Sequence, residues 1–233
     1  MIYKNNKNIQ LTFNLKKKKI YDENNFLVSK SNKEAYKLIN KWPDWLTRKL
    51  IVFGDPGNGK THLSYIWKKK SSAEIINLEK FKKIKFDNFS IKKKCFIIEN
   101  ISSFFDKINL KEKENIEKNL LHFYNLIDEN KGYLLLTASK APKFWGITLP
   151  DLRSRILSSI LVNIKKPDDE LLASVLVKLF SDKQILIDKK IIKFIVNRSE
   201  RSFNNLQNLV NKIDEQSLIT KKKINISFIK KLI

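Results

Sequence analysis

The stretch Gly54-Asp55-Pro56-Gly57-Asn58-Gly59-Lys60-Thr61 decides how this chain is read. It satisfies G-x-x-x-x-G-K-T at every position and holds three of the five glycines in 233 residues. Such a concentration in a glycine-poor chain marks a backbone requirement. The N–H groups of the loop must wrap a pyrophosphate closely, and a Cβ would obstruct that approach. Lys60 is then the residue that reaches the β- and γ-phosphates, and the Thr61 hydroxyl the one that holds Mg²⁺. The motif needs a buried strand before it and a helix after it. Leu50-Ile51-Val52-Phe53 supplies the continuous apolar run of a buried parallel strand. Thr61–Trp67 continues with helical spacing and stops in Lys68-Lys69-Lys70, cations that suit the last turn of a helix.

Working outward, Ala73–Leu78, Cys95–Ile98, Tyr133–Thr137 and Ser159–Ile164 read as further strands. Tyr21–Lys41 turns helical, the Trp42-Pro43 region is a loop, and residues 110–129 form a long helix that Gly132 closes. Strands alternating with helices predict an α/β domain with a parallel sheet flanked by helices, over residues 21–165. Pro167-Asp168-Asp169-Glu170 reads as a strong helix start, with proline at the first position. Amphipathic helices at 171–180, 191–196 and 203–213 follow, so residues 166–233 are expected to form a small all-helical domain. Residues 1–20 are polar and basic, with one alternating segment, Gln10–Leu15, that reads as an edge strand or a disordered tail.

Composition narrows the classes. No run of about 18 apolar residues exists and the N-terminus lacks the apolar core of a signal peptide, so neither a membrane span nor secretion is expected. One cysteine, Cys95, lies in a strand-like run; no internal disulfide is possible, and a reducing cytoplasm fits. The net charge of +23 invites a nucleic-acid reading, but 42 of the 47 cations are lysines in a chain also rich in asparagine and isoleucine. That pattern looks like codon bias, and it leaves weak, salt-sensitive attraction to DNA as the expectation.

Against that background the five arginines stand out: Arg48, Arg153, Arg155, Arg198 and Arg201. Their planar fork recognises phosphate or carboxylate bidentately, so the segments 153–155 and 198–201 become candidates for touching a phosphate. Glu99, at the end of the Cys95–Ile98 strand, offers the carboxylate that phosphate-loop proteins use to orient Mg²⁺. Its neighbour Asn100 is an amide and cannot take a proton from water, so slow intrinsic hydrolysis is expected. Thr137 and Ser139 follow the next strand and are candidates for contacting the γ-phosphate or its water.

This order of features resembles the AAA+ ATPases. More narrowly it is similar to the DnaA/Hda family, above all in its alphaproteobacterial Hda form. Trp42-Pro43-Asp44-Trp45, Leu149-Pro150-Asp151-Leu152-Arg153-Ser154-Arg155 and Glu200-Arg201-Ser202-Phe203 carry the likeness, over roughly residues 10–233. The resemblance implies an AAA+ domain followed by a helical lid, with ADP or ATP and Mg²⁺ as cofactors. In it Thr137 falls in the sensor-1 region, Arg155 matches the arginine finger acting in trans, and Arg201 the sensor-2 arginine. Phe26-Leu27-Val28 with Ser31-Asn32 looks like the segment that lines the family's adenine pocket. Gln10, Leu11, Phe13 and Leu15 look like the family's motif for the sliding clamp, the β subunit of DNA polymerase III.

The implied function is regulation of replication initiation: a clamp-bound protein that stimulates ATP hydrolysis by DnaA, leaving inactive DnaA-ADP. Its implied partners are DnaA and the clamp, with DNA reached indirectly through the clamp, no membrane, and a possible homo-oligomer. A cytoplasmic, nucleoid-associated location follows. The helix-turn-helix domain that follows the lid in DnaA has no counterpart before Ile233, so origin recognition of that kind is not expected. A nucleotide-dependent helicase loader or adaptor, a DnaA paralogue without its DNA-binding domain, and a basic nucleic-acid-binding module are the alternatives.

Overall fold

The computed structural model describes residues 21–84, 94–106 and 108–233, which form two compact units, Tyr21–Pro167 and Asp168–Ile233. The segment 10–15 lies outside the described residues. In the first unit the strands are β1 (Lys49–Phe53), β2 (Glu74–Ile76), β3 (Cys95–Ile98), β4 (Tyr133–Ala138) and β5 (Ile160–Asn163). They pair in parallel throughout, in the order β2-β3-β4-β1-β5. Strand β1 is bonded on both edges: Leu50 stands opposite Leu135 and Ile160, and Phe53 opposite Ala138 and Asn163.

Among the described residues, five helices cover the sheet: α1 (Lys33–Lys41), α2 (Lys60–Ser71), α3 (Leu78–Lys83), α4 (Leu110–Glu129) and α5 (Pro150–Leu157). The period-2 alternation of strands divides the buried side chains between two faces. Ile51, Phe96, Ile98, Leu134 and Leu136 pack with Phe81 of α3, Phe123 of α4, and Leu152 and Ile156 of α5. Leu50, Val52, Cys95, Ile97 and Leu135 pack with Ile39 of α1 and with Leu63 and Trp67 of α2. Burial on both faces is why these strands read as continuous apolar runs. Cys95 belongs to that packing, and burial pushes its thiol pKa up.

The second unit contains α6 (Asp169–Ser181), α7 (Lys189–Val196), α8 (Phe203–Thr220) and the short α9 (Ile226–Ile229). Leu172, Phe180, Ile195, Leu206 and Val210 form its own apolar core. No helix among the described residues is long and apolar enough to cross a membrane.

Three expectations about local structure change. The helix expected over 21–41 is confined to α1, preceded by a 3₁₀ turn at Glu23–Asn25. Between them, side chains satisfy the backbone instead of a helix ladder: Asn32 Oδ1 accepts from Ser29 N at 2.9 Å, Asn32 Nδ2 donates to Leu27 O at 2.9 Å, and the Ser29 hydroxyl accepts from Ser31 N at 3.1 Å. Pro167 is not the first residue of α6; Asp168 caps that helix, its side chain accepting from Leu171 N at 2.8 Å. Gly132 does not supply the left-handed stop of α4. Lys131 takes that conformation, at φ +50, while Gly132 N donates to Ile127 O at 2.8 Å. The glycine is needed for close approach: a Cβ on it would stand 2.9 Å from the Lys94 carbonyl oxygen.

This division of labour predicts opposite effects at adjacent positions. Gly132→Ala forces the β3 entry apart and should cost about 1–3 kcal/mol. Lys131→Gly relieves a left-handed residue and should gain up to about 1 kcal/mol. Thermal denaturation checks both, at about 2–4 °C per kcal/mol for a chain of this size. Equal and small shifts of the same sign would refute the assignment.

Candidate functional site

The phosphate-loop motif occupies the turn between β1 and α2, at the carboxyl edge of the parallel strands. Gly54 has φ +150, and a Cβ there would lie 2.3 Å from the Ile164 carbonyl oxygen, so only glycine lets the strand leaving β5 pass this close. Gly59 starts α2 from the left-handed region, at φ +92. The loop is also tied laterally. Asn58, 2% exposed, donates from Nδ2 to Lys165 O at 3.3 Å, and Lys165 N donates to Ser31 O at 3.0 Å. Asn58 Oδ1 is buried without a hydrogen-bond partner. Pro56 and Gly57 form the turn at the tip, and Asp55 makes an exposed ion pair with Lys166 at 3.7 Å.

Lys60 is drawn into its own loop. Its Nζ donates to Gly54 O at 2.6 Å and Asp55 O at 2.8 Å. Burial pushes its pKa down, and the Asp55 carboxylate partly offsets that. The ammonium is therefore held by neutral carbonyls, poor partners for a desolvated cation, and an anion placed in the loop would be a better one.

Glu99, Thr137 and Thr61 come together at the same edge because β3, β4 and β1 are adjacent and parallel. Glu99 Oε1 accepts from Ser64 Oγ at 2.7 Å; Ser64, fully buried on α2, also lies 2.9 Å from Thr61 O. A hydroxyl has one proton, and the carboxylate is the stronger acceptor. Ser64 was not singled out from sequence; a hydroxyl on an otherwise apolar helix face was the signal. Tyr21 stands near: burial pushes its phenol pKa up, and the Glu99 carboxylate and Tyr65 push it further. Thr137, 2% exposed, accepts from Asn100 N at 3.0 Å, with Asn100 left-handed at φ +53. Ser139 pairs with Ser102, their hydroxyl oxygens 2.9 Å apart. Phe26 stacks on Tyr36 with ring centroids 5.5 Å apart and meets His62 edge-on at 5.1 Å, so the segment before α1 abuts the first turn of α2.

Arg155 is not brought to this edge. It lies in α5, 45% exposed at its side chain, and its Nη1 is 3.4 Å from Asp128 Oδ2. Asp128 Oδ1 pairs with Lys49, the first residue of β1. The phosphate loop begins after Phe53, at the other end of that strand, about 13 Å away at about 3.3 Å per residue. Arg201 lies in the second unit and pairs there with Asp169 at 2.6 Å. Arg198 places its guanidinium 4.8 Å from the Phe194 ring centroid, which is a packing role. Gln10, Leu11, Phe13 and Leu15 lie outside the described residues.

Residues 15–163 match the family model for the bacterial DnaA ATPase domain, and residues 169–233 match the model for the Hda lid domain. Among curated proteins, the chromosomal replication initiator DnaA of Buchnera aphidicola subsp. Cinara cedri is 25% identical, covering 100% of this chain and 56% of the relative. DnaA of Borreliella afzelii is 27% identical over 93% of this chain and 48% of its own length. The chain thus spans about half the length of the curated relatives it matches. Among solved structures, domain III of Thermotoga maritima DnaA superposes with a TM-score of 0.76 at 19% identity, covering 91% of this chain and 95% of that one. AMPPCP-bound DnaA from Aquifex aeolicus gives 0.71 at 17% identity, covering 85% and 66%. With its phosphate loop on a five-stranded parallel sheet and a separate helical unit after it, the chain belongs to the bacterial DnaA ATPase-domain family of AAA+ proteins and carries an Hda-type lid.

Proposed function

We propose that this chain is an Hda-like regulator of replication initiation, which binds an adenine nucleotide in its own loop and completes the ATPase site of DnaA in trans. The observation that carries the reading is the separation of Arg155 from the phosphate loop by the length of β1. An arginine at that end of the strand does not serve the nucleotide of its own molecule, whereas it is half-exposed and available to a neighbour's.

Three features support nucleotide binding: the Gly54–Thr61 turn, the α2 N-terminus behind it, and a Lys60 ammonium held by carbonyls. AMPPCP is bound by the Aquifex relative of similar fold. Mg²⁺ would supply positive charge that neutralises the phosphates of a bound nucleotide. Among the described residues no group of three or more His, Cys, Asp or Glu side chains forms a metal cluster. Thr61 and Glu99 are the protein oxygens that would hold the cation, together with the nucleotide's phosphates. Ser64 fixes the Glu99 carboxylate, which is one methylene longer than the aspartate usual at this position. Asn100, which follows Glu99, is an amide and cannot take a proton from water, so the chain's own hydrolysis is slow. That is tolerable where the nucleotide to be hydrolysed belongs to the partner. In this proposal Thr137 holds the strand end that presents Glu99, Arg201 senses the chain's own nucleotide, and Gln10, Leu11, Phe13 and Leu15 dock an extended tail on the sliding clamp.

Two measurements test it. Ser64→Ala should lose about 1 kcal/mol of Mg²⁺-dependent nucleotide affinity, a factor of about five, and bind like the native chain in EDTA. A fluorescent ADP analogue titrated with and without Mg²⁺ reads this; equal weakening in both conditions would sink the role given to Ser64. The second is γ-phosphate release from DnaA-ATP with clamp-loaded DNA. The native chain should stimulate it, Arg155→Ala should return it to the unstimulated rate, and deleting residues 10–15 should abolish the dependence on the clamp. Absence of stimulation by the native chain, with active DnaA and clamp, would overturn the proposal in favour of a helicase loader or adaptor.

A further inference from the structure

We propose that Glu117 is a positioning residue for Arg155, acting through the helix that carries it; the inference rests on reading Arg155 as a finger donated in trans. Glu117 lies on α4 and is 1% exposed, a rare place for a carboxylate. Its partners all belong to the two residues that lead into α5. Thr148 N donates to Oε1 at 3.0 Å and to Oε2 at 3.2 Å, the Thr148 hydroxyl donates to Oε2 at 2.9 Å, and Leu149 N donates to Oε2 at 2.7 Å.

Helix α5 needs such a partner from elsewhere. Its N-cap residue, Leu149, has no side-chain acceptor, and its first residue, Pro150, has no N–H. Glu117 pairs the N–H of the N-cap residue itself from a different helix, one of the donors a helix start leaves over, and places a negative charge near the positive end of the α5 dipole. Charge-assisted hydrogen bonds are what make a buried carboxylate tolerable. They also demand a carboxylate: glutamine offers one acceptor and turns an NH₂ toward a cluster of donors.

Leu152 and Ile156 are 0% and 1% exposed, so α5 is seated on the core and resists rolling. Arg155 lies six residues beyond Leu149, about 9 Å along the helix at about 1.5 Å per residue. A shift of the cap is therefore carried to the guanidinium. The same helix touches the arginine directly, since Asp128, eleven residues after Glu117 on α4, faces Arg155. Eleven residues make about three turns, so both acids project from one face of α4. The grip at Asp128 is half-exposed and easily given up to a phosphate, whereas the grip at Glu117 is buried and permanent. Glu117 thus fixes the origin of the finger while its tip stays exchangeable.

The test is a double-mutant cycle on the full chain, using Glu117→Gln, Arg155→Ala and the pair, with Thr148→Ala as a milder probe that removes one of the hydrogen bonds. Four quantities are read: γ-phosphate release from DnaA-ATP at saturating chain, the chain concentration for half-maximal effect, the chain's own ADP affinity, and its melting temperature. Glu117→Gln should lower the saturated rate about tenfold or more, since small misplacements of a catalytic group carry penalties of up to about 100-fold. ADP affinity and half-maximal concentration should stay within about twofold of native, an allowance for the context dependence of single contacts. Thr148→Ala should act in the same direction, less strongly. In the Arg155→Ala background Glu117→Gln should add no further loss of rate. An unchanged saturated rate in folded Glu117→Gln, or equal losses in both backgrounds, refutes the positioning role. If Glu117→Gln fails to fold, Thr148→Ala decides by the same criteria. If Arg155→Ala itself leaves the rate intact, the finger reading falls and this inference falls with it.

Discussion

Strand β1 is hydrogen-bonded on both edges, and its two ends place the phosphate loop and the Lys49–Asp128–Arg155 pairing. At the carboxyl end the chain turns through Gly54–Gly59 into α2, with β5 passing so close that Gly54 has no room for a side chain. At the amino end Lys49 meets Asp128, which meets Arg155. Pairing with β4 on one side and β5 on the other fixes the direction of β1 and so keeps the two ends apart. A parallel sheet does this for every strand at once, which is why Glu99 and Thr137 gather beside the loop while the arginine stays at the far edge.

The polar groups at the carboxyl edge are arranged as an incomplete charge pattern. Lys60 is partly desolvated and held by carbonyls, and Asn58 keeps a buried oxygen without a partner. Glu99 is committed to Ser64, and Thr137 to the Asn100 amide. Hydroxyl and amide contacts thus hold the shape of the edge, and the ionic demands of Lys60 are left for a ligand to meet. Arg155 differs, because Lys49 shares its carboxylate and keeps Asp128 neutralised when the guanidinium leaves.

Residue choice in this chain sharpens the argument about arginine. Lysine supplies most of the cations, and three of the five arginines differ in environment. Arg198 lies over an aromatic ring, and Arg201 makes an exposed ion pair with Asp169. Arg155 is half-exposed on a helix held at its start by a buried carboxylate. Arginine at such a site suits an exchangeable contact to carboxylate or phosphate.

Much of this was legible in the chain. The phosphate-loop motif, the apolar runs of β1, β3 and β4, and the span of α4 follow from spacing, because a parallel sheet buried on both faces leaves uninterrupted hydrophobic stretches and a long helix leaves a 3.6-residue period. Local side-chain chemistry was harder: the hydrogen bonds of Ser29 and Asn32 erased the first turns expected of α1, and Lys131 took the conformation expected of Gly132. Sequence also determined which residue types were at hand for phosphate chemistry, namely Lys60, Thr61, Glu99 and Arg155. Tertiary structure decided who meets whom. Ser64 reaches Glu99 across 35 positions, Glu117 reaches Thr148 across 31, and Arg155 reaches Asp128 across 27. Such contacts leave no periodic trace, because they depend on strand order and helix placement rather than on neighbours along the chain.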